Sequence, residues 1–243
     1  MEQKTFALKG NIIYTKERTR FEVMEQGWLV CEEGRVRDVY SVLPEELKGI
    51  PVEDMEDRLI IPGLTDLHIH APQYTFRSLG MDMELLEWLE TNTFPEESKY
   101  KDAEYAKKAY EMFAEQLKKS ATVRACIFGT IHNEATLILL DLLEQAGLHT
   151  MVGKVNMDRN SPDYLCEPSA EASAQATREW LKAVADRKYK NTRPILTPRF
   201  TPSCTDELME LLKEIQTETH LPMQSHLSEN PGEIACVKAL CPW

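Results

Sequence analysis

The sequence lacks three features that would place it in familiar classes of protein: a basic excess, a long apolar run and closely spaced cysteines. Its 28 lysine and arginine residues face 40 acidic ones, which gives a formal net charge of −12 at pH 7. That charge argues against nucleic acid or an anionic membrane surface as a partner. No apolar run approaches the ~20 residues of a membrane-spanning helix. The first residues, 1–4, lack the basic and apolar regions of a secretion signal, so we expect a cytoplasmic protein.

The six cysteines form no C-x-x-C pair and no spacing typical of a small disulfide scaffold. We therefore expect reduced thiols, as is usual in the cytosol. With the thiols scattered in this way, histidines become the main candidates for binding a metal ion. The same absence excludes one zinc-site signature: H-x-E at 132–134 would need P-C-x-x-C further along the chain.

The chain divides by pattern into two parts, 1–62 and 63–243. Short strands separated by turns, over 5–15, 27–32 and 35–42, predict a small N-terminal β-sheet. Further on, strands alternate with helices, which indicates an α/β fold with a parallel sheet and right-handed crossovers. The predicted strands are 123–129, 150–155, 195–197 and 222–226, and the predicted helices are 103–119, 134–145, 170–186, 206–219 and 233–239.

A short strand that ends at His70 carries the first chemical signal. Pro62-Gly63 marks a turn, and the apolar residues that follow predict a buried strand over 64–70. Side chains alternate along a strand, so His68 and His70 should point the same way, about 7 Å apart. Two such imidazoles suit a divalent cation. The alternative is a core histidine beside one that caps the strand; the surrounding P-G-L-x-D-x-H-x-H pattern favours the metal.

Four segments together resemble the guanine deaminase family of the amidohydrolase superfamily: 66–73, 154–165, 197–200 and 224–230. The resemblance covers the N-terminal part of that family. It implies a (β/α)8 barrel of the TIM type, here incomplete with roughly the first five βα units, preceded by half of a β-sandwich. It also implies hydrolysis of guanine to xanthine and ammonia in purine catabolism, and a homodimer in the full-length form.

The resemblance places the functional residues at the carboxyl ends of the barrel strands, where such barrels carry their active sites. His226 would join His68 and His70 as ligands of one Zn²⁺, with Fe²⁺ left open because imidazole suits both ions. A lone histidine at a strand end would usually be structural. Glu229 would move protons between water, the purine ring and the leaving amine. Alternatively, Glu229 only complements the dipole of a helix that begins nearby.

The purine would be held by Gln73 and Arg199, with Phe200 packing or stacking on the base. Arg199 offers a fork of donors for a ring carbonyl and its neighbouring nitrogen, although a surface ion pair is the simpler alternative. The remaining expected substrate contacts are Ala71, Pro72, Leu227 and Ser228, together with the ligands His70 and His226 and the carboxylate of Glu229. Residues 74–95 are a candidate lid over the substrate, or otherwise a surface helix.

Two other functions remain open from the sequence. The chain ends before the strands that carry the family's further histidine and metal-binding aspartate. It could therefore be a truncated half-barrel of impaired activity that binds metal or purine, or that associates with another chain. A related amidohydrolase acting on a different aminated heterocycle, such as a triazine or a pterin, is the third hypothesis.

Overall fold

A computed structural model describes residues 5–242 of the chain. The chain divides between Gly63 and Leu64 into two compact units. In residues 5–242, no helix is both long and apolar enough to cross a membrane.

The first unit is a four-stranded sheet with the spatial order β3-β2-β1-β4. Its strands are β1 (Phe6–Glu17), β2 (Arg20–Glu32), β3 (Arg35–Tyr40) and β4 (Val52–Ile60). The first three strands pair in antiparallel fashion and confirm the predicted N-terminal sheet, whereas β4 pairs in parallel with β1. The sequence did not predict β4, because its run of charged residues has no apolar alternation. Backbone pairing with β1 makes this segment a strand.

The second unit is a mixed α/β structure built on parallel strands. Its strands are β5 (Leu64–His70), β6 (Thr122–Phe128), β7 (His149–Gly153), β8 (Val155–Asn156), β9 (Thr192–Pro194) and β10 (Thr197–Pro198). Its helices are α1 (Leu85–Trp88), α2 (Phe94–Ser98), α3 (Ala103–Lys118), α4 (Asn133–Ala146), α5 (Ala170–Arg187), α6 (Asp206–Thr219) and α7 (Pro231–Leu240). Four strands form one parallel sheet in the order β5-β6-β7-β9, and β8 pairs in parallel with β10. The carboxyl ends of the strands in each sheet therefore share one edge.

Helices α3 and α4 cover one face of this sheet and form the main core. Asp102 begins α3 by accepting the backbone amides of Glu104 and Tyr105, and Gly147 ends α4 in the left-handed region. Leu139 and Leu143 of α4 are fully buried in a cluster that also contains residues of α3 and β6. Burial of each such leucine contributes roughly 1.5–3 kcal/mol to folding. This packing fixes the strands whose ends carry the functional side chains.

The predicted strand over 222–226 is wrong. The segment forms one isolated parallel bridge, between Met223 and Leu196. The Leu196 amide donates to Pro222, and the Gln224 amide donates back to Leu196. Continuing that ladder in either direction would require amide donors from Pro194 and Pro198. Proline has no N–H, so the pairing stops after one bridge.

Two further expectations about the second unit need correction. Strand β5 is not buried, since Leu67 is 73% exposed. Within the described sheet β5 is an outer strand, and it pairs with β6 alone. The sequence N-T-F-P at 92–95 predicts a break in the helical segment before it, but the chain passes through one wide helical turn, Leu89–Thr93, directly into α2. Pro95 fits there because the first turn of a helix needs no amide donor from it.

Candidate metal and ligand site

Three histidines from two distant parts of the second unit converge at the carboxyl edge of the sheet. His68 and His70 lie at the end of β5, and His226 follows the bridge at Met223. One ligand nitrogen from each imidazole lies within 4.8 Å of those from the other two. The Nε2 atoms of His70 and His226 face each other at 2.9 Å. Three converging imidazole nitrogens are a donor set that suits Zn²⁺ and other divalent transition metals.

Backbone contacts orient the His226 ring toward this cluster. The carbonyl oxygen of Arg199 accepts the backbone amide of His226 at 3.1 Å and lies 2.7 Å from its Nδ1. A carbonyl can only accept, so Nδ1 carries the proton and Nε2 presents a lone pair to the cluster. Metal-binding histidines usually have their second nitrogen anchored to a carbonyl or carboxylate in this way. The ring is therefore arranged to bind a cation through Nε2.

The surroundings keep the imidazoles of His70 and His226 neutral. Burial lowers the pKa of His70 well below its usual value, and the positive charge of Arg199 lowers it further. For His226, burial lowers the pKa to about 4, and the charge of Arg199 adds to this effect despite the opposing bond to the Arg199 carbonyl. Neutral imidazole is the form that binds metal ions, so these residues fit a metal centre at neutral pH.

Phe128 forms the floor of the histidine cluster, and the sequence analysis missed it. The phenyl ring is fully buried and stacks on His70, with a centroid distance of 4.4 Å and an angle of 14° between the rings. It also packs against His226 at 4.4 Å. In the parallel register, Phe128 is the partner of His70. The signal that could have found it is therefore its place at the end of the strand beside β5.

A cavity of about 480 Å³ opens beside the histidines. Its volume lies in the range of small-molecule sites. Its wall includes seven residues expected from the sequence: His68, His70, Gln73, Arg199, Phe200, His226 and Glu229. In the part of the chain that is described, four other expected contacts lie outside this wall: Ala71, Pro72, Leu227 and Ser228. The Leu227 side chain is 82% exposed, whereas Ala71 is fully buried.

The segment over 74–95 contributes one side of the cavity. Tyr74, Arg77, Leu85, Trp88 and Leu89 all line it. Leu85, Trp88 and Leu89 also pack in a hydrophobic cluster with Phe128, so the segment supplies packed aromatic and aliphatic side chains to the cavity wall. These flat apolar surfaces suit a planar ligand such as an aromatic heterocycle.

Arg199 forms an ion pair, but a buried one, which corrects the expectation of a surface pair. Its Nη1 and Nη2 atoms donate to the two carboxylate oxygens of Glu97, at 2.6 and 3.2 Å. Both side chains are almost completely buried. No sequence pattern indicated Glu97, because the two residues are 102 positions apart and Glu97 lies in an acidic helical stretch that resembles a solvated surface.

Glu229 lies on a tight turn that Glu233 holds in place. The Glu233 carboxylate accepts the backbone amides of Ser228 and Glu229, at 3.0 and 2.5 Å. The Glu233 amide in turn donates to Asn230, the residue that caps α7. Burial raises the pKa of the Glu229 carboxyl, and the neighbouring Glu233 charge raises it further against the opposing charge of Arg199. A carboxyl of raised pKa beside a histidine cluster holds a proton more readily than an ordinary surface glutamate, which suits a group that accepts and returns protons.

An α/β chain with a histidine cluster and a carboxylate at the carboxyl ends of parallel strands has the features of a metal-dependent hydrolase. The amidohydrolase family matches residues 59–241, and the chain belongs to that family.

Among known proteins, the chain is similar to guanine deaminases. It is 37% identical to the guanine deaminase of Dictyostelium discoideum, over 96% of this chain and 56% of that protein. It is 42% identical to a probable guanine deaminase of Schizosaccharomyces pombe, over 76% of this chain and 36% of that protein. A crystal structure of guanine deaminase from C. acetobutylicum, with guanine bound in its active site, superposes with a TM-score of 0.92. That pair is 44% identical and covers 97% of this chain and 56% of the other. The chain thus spans about half the length of the relatives it matches.

Proposed function

We propose that the chain acts in the hydrolytic deamination of guanine to xanthine and ammonia. The observation that carries the proposal is the convergence of His68, His70 and His226 beside a cavity large enough for a purine. The named activity of the similar proteins, one of them solved with guanine bound, supports the choice of substrate. In this reaction water adds to the amino-bearing ring carbon, a C–O bond replaces the C–N bond, and the amine leaves as ammonia.

The three histidines are the proposed ligands of one Zn²⁺ per chain, with Fe²⁺ as the other ion that such a donor set suits. When bound, the ion lowers the pKa of a water ligand toward ~7 and so supplies a nucleophile at neutral pH. The orientation of His226 by the Arg199 carbonyl and the neutral state of His70 both support this role.

Glu229 is the proposed proton carrier. Its carboxylate would take a proton from water, pass it to a ring nitrogen and then serve the departing amine. Its raised pKa supports this cycle, because a carboxyl that is both a usable base and a usable acid transfers protons in both directions. In the helix that follows, Asn230 is the N-cap and Glu233 is the acidic residue of the first turn, whereas Glu229 lies before the cap.

The base would lie between Gln73 and Arg199, both of which line the cavity. Gln73 can donate and accept hydrogen bonds, and Arg199 retains donors beyond those that it gives to Glu97. Phe200 would pack on the ring. Ala71, Pro72, Leu227 and Ser228 complete the proposed set of substrate contacts, although reaching the base would require backbone contacts or movement of the turn.

At the level of the whole chain, we propose that the parallel strands are the first part of a (β/α)8 barrel of the TIM type, over 63–243, and that 1–62 is half of a β-sandwich. The proposed setting is the cytoplasm, in purine catabolism, and the proposed full-length assembly is a homodimer.

The test is release of ammonia and xanthine from guanine by the zinc-loaded chain. Glu229→Gln should lower the rate by about 10²- to 10⁴-fold, the usual contribution of a general acid–base group. Glu210→Gln, which changes an exposed glutamate on α6, is the matched control and should leave the rate unchanged. No turnover by the zinc-loaded wild-type chain, or full activity of Glu229→Gln, would contradict the proposal.

A further inference from the structure

Glu97 is a buried carboxylate to which the proposed reaction gives no role. It lies in α2 and is 1% exposed, and both of its oxygens accept hydrogen bonds from Arg199. It is not among the residues that line the cavity, whereas Arg199 is. Glu97 therefore lies behind Arg199 and reaches the site only through it.

The guanidinium of Arg199 is fixed on several sides. Glu97 takes one N–H from each terminal nitrogen in a bidentate pair, which is the contact that best defines the plane of an arginine. The ring of Phe94 lies 5.3 Å from the guanidinium carbon, and Nη1 also contacts the sulfur of Met157 at 3.8 Å. A guanidinium has five N–H donors, so donors remain after the bonds to Glu97.

A buried arginine without this partner would be an uncompensated charge and could turn toward any nearby carbonyl. Leaving a buried charge unpaired is costly, so the pair with Glu97 stabilises the buried guanidinium and limits its orientation. A donor group held in one orientation discriminates strongly between ligands that have and lack the matching acceptor. The acceptor that matches a fixed guanidinium is a ring carbonyl with an adjacent nitrogen.

We infer that Glu97 is a positioning residue that determines selectivity for oxopurines: it holds the guanidinium of Arg199 so that its free N–H groups receive the ring carbonyl. This inference rests on the proposed function, because it takes Arg199 as a purine contact. Glu97 touches neither the base nor the reacting atoms, and its effect should therefore appear in the choice between ligands more than in the chemistry.

The experiment compares guanine with 2-aminopurine, which has the same ring and amino group but no ring carbonyl. Dissociation constants for both are measured on the zinc-loaded wild-type chain and on Glu97→Gln. Glu97→Gln should weaken guanine binding by about 10- to 100-fold, the usual effect of disturbing one charge-assisted hydrogen bond. Binding of 2-aminopurine should change by less than about 3-fold, because that ligand has no carbonyl for Arg199 to receive.

Two variants control for general damage to the fold. Glu97→Asp keeps the charge on a shorter side chain, so it should retain part of the preference for guanine. If Glu97→Gln does not fold, the ratio of the two dissociation constants in Glu97→Asp, compared with that of the wild type, tests the inference. Glu167→Gln disturbs another buried carboxylate, the partner of Lys154, which lies away from the cavity wall. It should lower stability without changing the ratio of the two dissociation constants.

Equal weakening of both purines in Glu97→Gln would mean a merely structural role and would overturn the inference. Tighter guanine binding would also overturn it, since Glu97 would then compete with the ligand for Arg199. A wild-type chain that binds neither purine would contradict the proposed function and this inference with it. If the wild-type chain prefers guanine and Glu97→Gln shows the same preference, that result would contradict only the role of Glu97.

Discussion

Replacing Phe128 by alanine should separate its contribution to the fold from its contribution to the histidine cluster. The phenyl ring is fully buried and packs against all three imidazoles, at centroid distances of 5.0 Å from His68 and 4.4 Å from His70 and His226. Its removal leaves a cavity in the core. Phenylalanine-to-alanine changes of this kind lower the free energy of unfolding by about 3–5 kcal/mol. Stacked aromatic pairs add about 0.5–1.5 kcal/mol each beyond the buried area, so the upper half of that range is expected.

The second effect concerns metal binding. Without its floor, His70 can tilt away from His226, whose Nε2 is now 2.9 Å from its own. Misplacing a ligand that the surrounding residues orient typically lowers metal affinity by about 10- to 100-fold. A metal that binds the folded state stabilises it in proportion to RT ln(1 + [L]/Kd), so such a loss reduces the gain from zinc by about 1.4–2.8 kcal/mol.

The assay is urea unfolding with and without a fixed free zinc concentration. Leu139→Ala is the matched control, since Leu139 is equally buried but lies in the core on α4. In the absence of zinc, both variants should have a lower free energy of unfolding than the wild type. For the buried leucine the loss should be about 2–5 kcal/mol. Only Phe128→Ala should also lose part of the stabilisation by zinc. An unchanged zinc gain in Phe128→Ala would refute the role assigned to this ring.

Three further predictions concern stability. Burial opposes ionisation of Glu144, but the amides of residues 190–192 donate to its carboxylate and lower its pKa below the usual 4.5. The hydrogen bonds to ionised Glu144 therefore stabilise the folded chain at pH values above the usual pKa of a glutamate, and this stabilisation is lost as the pH falls through the lowered pKa. Glu144→Gln should accordingly reduce the melting temperature at pH 7 but much less at pH 3. Glu233→Gln should cost about 1–3 kcal/mol of unfolding free energy, because one partly buried amide of the 228–229 turn loses its charged acceptor; no change would mean that water replaces it. Leu67→Ser should change stability by less than about 0.5 kcal/mol, since the side chain is largely exposed; a loss of several kcal/mol would show that this side chain is covered.

Local signals predicted most of the helices and the first two histidines. The period of two along β5 correctly placed His68 and His70 together, and the predicted helix over 206–219 matches α6, which Thr205 begins by accepting the backbone amide of Leu208. These signals predicted correctly because each depends only on interactions within one strand or one helical turn.

Features that depend on pairing across the fold were missed. Glu97 looks like one more acidic residue until α2 brings it against Arg199. Phe128 gains its role from the register between β5 and β6. The expected strand over 222–226 failed because its neighbour has prolines where amide donors were needed, which no periodicity within the segment itself reveals.

The central claim is that His68, His70 and His226 hold one metal ion together. The most direct measurement is the zinc content of the purified chain, combined with X-ray absorption at the zinc edge. About one zinc per chain, with three imidazole nitrogens at about 2.0–2.1 Å, is the predicted result, and His226→Ala should lose one nitrogen and most of the affinity. Binding of zinc with unchanged coordination in His226→Ala, or no binding by the folded wild-type chain, would contradict the claim.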